Sequence, residues 1–145
     1  MVGTPVRAGL VILGLGQGIS ALFALLAPRS FYDDFPVSGA DWVSALPPFN
    51  EHLVRDYGAS FLALAALALA AAWLAERRLV VVTLAVWLVS AVPHLAFHLA
   101  HGDKPGGLEG ALSLATLSLN AALPLVLLYL VRKEPRHGPD RPRTT

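Results

Sequence analysis

Four long apolar runs constrain this chain more than any other feature of its sequence. They cover about residues 8–27, 51–75, 79–101 and 108–131. Each is near the ~20 residues that a helix, rising ~1.5 Å per residue, needs to cross the hydrocarbon of a bilayer. A helix satisfies its backbone N–H and C=O groups within one segment, which a bilayer demands. Composition agrees. The chain has 145 residues, 55% hydrophobic and 14% charged, whereas roughly a quarter of a soluble domain is charged. Too little charge remains to cover a soluble surface.

The expected fold is therefore all-α, an integral membrane four-helix bundle spanning residues 1–131 as one domain. A loop over 28–50 and a basic, disordered tail over 132–145 complete it. The first run has Arg7 before it and Ala27 at its end, as a signal peptide would. A signal core spans only ~7–15 residues, however, and Pro28 follows directly, so a first transmembrane helix is expected. Within it Gln17 stands in apolar surroundings, where a polar side chain hydrogen-bonds a neighbouring helix. The formal charge of +1 and the absence of any basic, aromatic-interleaved patch argue against nucleic-acid binding. With no Cys in the chain, disulfides, thiol redox chemistry, iron–sulfur clusters and thiolate metal sites are excluded.

Loop charge orients the runs. Arg7, Arg77, Arg78, Arg132, Lys133 and Arg136 fall on one side, while Arg29, Arg55 and Lys104 share the other with most of the acidic residues. The positive-inside rule then predicts a multi-pass plasma-membrane protein with both termini in the cytoplasm. In the outer loop, Ser38-x-x-Asp41 reads as the cap of a short helix over Asp41–Leu46, ended by Pro47 and Pro48. Phe31, Tyr32, Phe35, Trp42 and Phe49 suit the headgroup level. The segment reads either as a lid over the helix ends or as an interfacial anchor. Residues Gly102–Gly107 read as a turn.

The chemistry is concentrated in Pro93–His101, where His94, His98 and His101 stand at i, i+4 and i+7 on one helix face. Ionisable groups are costly in a bilayer and mark functional sites there. His94 lies ~10 Å in from His101, and Asp56 ~9 Å in from Asn50, entering from the same side. The second and third runs, joined by a short turn, are expected to be neighbours with these polar ends meeting. On that reading His52, Asp56, His94, His98 and His101 are candidate metal ligands, and Glu51–Arg55 is a supporting ion pair. Glu109, Ser113, Thr116 and Asn120 make one polar stripe on the fourth run, expected to face inward. Arg55, Glu109 and Asn120 then line the site as cofactor-binding positions.

Imidazole and carboxylate without sulfur suit Zn, Fe, Mn, Ni or Cu(II). Haem b held by His52 or His94 is an alternative use of the same atoms, and a metal-free polar or purely structural row is another. The row is similar to the histidine boxes of membrane-bound di-iron hydroxylases and desaturases, which carry more boxes on the cytoplasmic side. In architecture, and in the Arg55-Asp56-Tyr57-Gly58 that opens the second run, the chain resembles DoxX-like small bacterial membrane proteins. That resemblance implies a four-helix fold and, for some members, a link to quinone-coupled redox complexes. The function expected is an outward-facing His/carboxylate site that binds metal, with redox action on a lipid-soluble substrate. An accessory subunit of a membrane complex, a homo-oligomer and a small proton-coupled carrier are the alternatives. The reaction is not written in the sequence.

Overall fold

The computed structural model describes residues 1–45, 48–101 and 106–135. The described residues form five helices and no strand: α1 (Thr4–Leu26), α2 (Pro28–Asp34), α3 (Glu51–Leu74), α4 (Arg77–His101) and α5 (Gly107–Lys133). Of these, α1, α3, α4 and α5 are the four apolar runs, each long and apolar enough to cross a bilayer. Large side chains such as Ile12, Ile19, Trp73, Val89 and Leu119 stand open on their outer faces, as lipid rather than water would allow.

The helix ends follow local chemistry. α1 starts several residues before the expected position because Pro5 suits a first turn. The Asn50 side chain accepts from Leu53 N at 3.1 Å and starts α3 where the sequence suggested. Ala75 takes a left-handed φ of 51° and ends α3. α5 runs two residues past the expected 131, so Arg132 and Lys133 are helical rather than part of a loose tail. The rest of the predicted tail, residues 136–145, lies outside the described residues, as does the predicted turn at 102–105. In the loop over 28–50 the helix is α2, not 41–46. Pro28 stands at its first turn, and Arg29 pairs with Asp33 one turn on at 2.6 Å. Residues 42–45 make only a turn, closed by Ala45 N on Asp41 O at 3.0 Å; Leu46 and Pro47 fall outside the described residues.

Packing corrects one expectation. The hairpin partners α3 and α4 meet only along a short stretch, while α3 lies along α1 and α4 along α5. Small residues decide this. A Cβ on Gly14 would stand 2.7 Å from Leu69 Cγ, and one on Gly58 would stand 2.8 Å from the Ala21 carbonyl oxygen. Bare backbone on each helix thus lets α1 and α3 approach more closely than any α3–α4 pairing would.

The two ends of the molecule differ. At the end carrying the N-terminus, the α3–α4 turn and the close of α5, all four long helices share one core that includes Val6, Leu10, Ala68, Ala71, Val80, Leu84, Trp87, Leu127 and Val131. Hydrogen bonds lace that end: Val2 N to Ala75 O (2.8 Å), Gly3 N to Glu134 Oε1 (2.8 Å) and Arg77 Nη1 to Glu134 O (3.2 Å). At the opposite, loop-bearing end, a separate cluster of Ala24, Phe31 and Val54 packs with Phe23, Phe35, Val43, Phe49 and Tyr57. That cluster belongs to α1, α2, α3 and the loop, and leaves the α4–α5 pair outside it.

Candidate functional site

The inward stripe of α4 runs Val80, Leu84, Trp87, Ala91, His94, His98, spaced three or four residues apart. Trp87 Nε1 donates to Asn120 Oδ1 at 3.0 Å, which pins the antiparallel register of α4 on α5. Seven residues outward from that bond stand His94 on α4 and Ser113 on α5, and eleven residues outward stand His98 and Glu109. At equal rise per residue each pair sits at one height, ~10 Å and ~16 Å from the bond. His98 and Ser113 are buried, and His94 is half-buried. The His94 and His98 rings lie 5.0 Å apart, centroid to centroid. His101 leaves the row: it is exposed, its Nδ1–H donates to Phe97 O at 2.9 Å, and its ring stacks on Phe97 at 4.2 Å. By the same register its partner position is residue 106, before α5 begins at Gly107, so α5 does not cover it.

A strap closes this end. Trp42 Nε1 donates to Glu109 Oε2, carrying the α2–α3 loop across to the first turn of α5. Behind Trp42 the rings run Phe35 (6.1 Å), Phe31 (4.7 Å) and Phe23 (5.6 Å) back to α1. Phe31 also meets Tyr57 of α3 at 5.6 Å. Tyr57 hydroxyl in turn accepts from Gln17 Nε2 at 3.2 Å and lies 3.4 Å from Ser20 Oγ. Gln17 thus makes the interhelical bond its position suggested. The Trp42–Glu109 contact was not legible in advance, because the residues are 67 apart and nothing in the polar stripe that Glu109 heads points to Trp42.

The α3 residues fall elsewhere. His52 and Asp56 face each other at 3.3 Å, but their side chains are 87% and 59% exposed. With α3 committed to α1, they do not reach the α4 row. Arg55 donates through Nε to Glu51 Oε1 at 2.9 Å, so the expected ion pair is present. Its Nη1 donates to Leu25 O, which caps the last turn of α1. The Arg55-x-x-Gly58 pattern therefore does two linked jobs: Arg55 ties off α1, and Gly58 lets α1 and α3 touch. On α5 the polar stripe lies along the edge of the buried face. Ser113 and Asn120 turn inward, while Glu109 and Thr116 stand exposed.

Among the described residues no three His, Asp or Glu side chains gather as a ligand set. What the fold brings together is narrower: two imidazoles one turn apart on one helix face, with a carboxylate at the height of the outer one. Two His at i, i+4 on one face can hold a metal when a further ligand is added. One turn inward from His94 is Ser90, which lines a groove of about 280 Å³ between α3 and α4 with Ser60, Phe61, Leu64, Val86 and Val89. No protein-family model, curated protein or solved structure matches this chain.

Proposed function

We propose that this chain is a multi-pass plasma-membrane protein with both termini in the cytoplasm, whose outward-facing end binds a divalent transition metal through His94 and His98. The observation that carries the reading is the placement of these two rings, 5.0 Å apart on the buried stripe of α4. Ionisable side chains turned inward in an otherwise apolar helix are costly unless they have a use. Glu109 is the natural third ligand: a rotation that frees it from Trp42 leaves its carboxylate at the level of His98, and water completes the set. His52, Asp56 and His101 are left out of this centre. Zn, Mn, Fe and Cu(II) all suit imidazole with carboxylate.

The groove beside Ser90 opens between helices, toward lipid. It supports entry of a lipid-soluble substrate next to His94 and hence redox chemistry on it. Beyond the Trp87–Asn120 bond the core of Leu10, Leu84 and Leu127 is apolar, with Thr83 the buried polar side chain on α4 there, which favours a binding site over a carrier. The kinship with DoxX-like proteins is part of the same proposal, and rests on the four spans and Arg55-x-x-Gly58.

Metal analysis of detergent-purified protein tests the centre. One equivalent of bound metal is expected, lost in His94→Ala and His98→Ala and kept in His52→Ala and His101→Ala. Metal-free protein that takes up none on titration, or a His98→Ala variant with unchanged content, refutes it, as does a haem Soret band. Because the chain has no Cys, single substitutions report orientation cleanly. An impermeant maleimide added to intact cells should label Ser38→Cys and spare Arg78→Cys, and the reverse pattern overturns the orientation.

A further inference from the structure

Away from the histidines, at the end where α1 begins and α5 closes, α1 and α3 flank a second, open groove of about 450 Å³. Its walls change character along their length. Thr4 and Arg7 line one end, on the first two turns of α1; Ala8, Val11 and Leu69 line the apolar stretch; and Trp73 flanks it. Val11 lies seven residues beyond Thr4, so the passage from polar to apolar takes ~10 Å. The small side chains of Ala8 and Ala72 are what keep the groove open.

Arg7 caps the last turn of α3 and still has donors to spare. Its Nε donates to Ala72 O at 3.0 Å, which fixes the guanidinium plane against the last turn of α3. Among the described residues Nη1 and Nη2 have no protein partner and no acidic side chain pairs with the group. A guanidinium whose Nη1/Nη2 edge is free matches a phosphate better than any other common membrane group. Trp73 is 82% exposed at the same level, where amphipathic rings mark the headgroup layer. Arg77, Arg78, Arg132 and Lys133 lie at this end too and raise the local concentration of anionic headgroups.

We propose that the α1–α3 groove is a phospholipid site: Arg7 and Thr4 take the phosphate, and an acyl chain runs along Ala8, Val11 and Leu69. The occupant is an anionic glycerophospholipid of the leaflet on the side of the chain termini. The proposal rests on the bilayer-spanning part of the functional reading and not on the metal, whose site is at the other end.

Native mass spectrometry of the full chain released from micelles tests it, with phosphatidylglycerol, phosphatidylcholine or inorganic phosphate added. Wild type should retain one phosphatidylglycerol, in preference to phosphatidylcholine, and excess phosphate should not displace it. Arg7→Gln should weaken retention about tenfold, the scale of losing charge-assisted hydrogen bonds. Ala8→Leu fills the groove while leaving Arg7 and its bond to Ala72 untouched, and should abolish retention with the lipid-free melting temperature unchanged. Equal retention by wild type and Ala8→Leu overturns the site. Displacement by inorganic phosphate overturns the lipid as its occupant, and equal retention of phosphatidylcholine overturns the anionic preference.

Discussion

Replacing Gly58 with alanine puts one methyl group where α1 and α3 come closest. The new Cβ would stand 2.8 Å from Ala21 O, 2.9 Å from Leu25 N and 3.0 Å from Leu25 Cβ. Ordinary contact begins at 3.4 Å, so the fit is short by about 0.6 Å against backbone, which has no rotamer to change. The helices have to part, and overpacking of this kind costs ~1–3 kcal/mol. Against that, alanine favours a helix over glycine by up to ~1 kcal/mol. Gly16 provides the control, since a Cβ there meets nothing within 4 Å. Gly16→Ala collects the helix term without the clash, so the difference between the two variants isolates the steric cost at ~1–3 kcal/mol. Unfolding in mixed micelles by added SDS, followed by circular dichroism, reads the difference as a lower midpoint for Gly58→Ala. Should Gly58→Ala unfold at or above the Gly16→Ala midpoint, the close α1–α3 contact is not what joins these helices.

Two further outcomes follow from single bonds. A double-mutant cycle on Trp87→Phe and Asn120→Ala should give a coupling energy of ~0.6 to ~1.7 kcal/mol, the range of interhelical hydrogen bonds in membranes; a coupling of zero would mean that another contact sets the α4–α5 register. Trp42→Phe keeps the edge-to-face contact with Phe35 and removes only the donor to Glu109. Amide exchange should quicken at residues 41–45 and in the first turn of α5, with the α1–α3 helices unaffected, and unchanged exchange would show that the strap is held by rings alone.

What was legible beforehand follows the physics that reports locally. Apolar length and the Asn50 cap gave α3 its start, and the helical period put His94, His98 and His101 on one face, of which the structure keeps the first two on the inward stripe. Gln17 declared its need for a partner by being polar among aliphatics, though not that the partner would be Tyr57. The helix pairing was hidden because it depends on which surfaces are smoothest. Adjacency in sequence favoured α3 with α4, whereas Gly14 and Gly58 gave α3 to α1, and His52 and Asp56 went with it. α2 was missed because Pro28 reads as a stop after α1 when it is also a start. The Trp42–Glu109 strap joins two loop-end residues that only the finished fold brings near each other.

The bond from Gly3 to Glu134 joins positions 131 apart, and this has a bearing on the order of assembly. It is made only after the last helix has emerged from synthesis. At ~5–20 residues per second, the 59 residues from Ala75 to Glu134 take about 3–12 s to add. Through that interval α1 and α3 can already hold each other through their glycines and the Arg7–Ala72 bond, with the face toward α4 and α5 still bare to lipid. The carboxylate of Glu134 then acts as the closing stitch between the start of α1 and the end of α5, added last to helices that their shared core already holds.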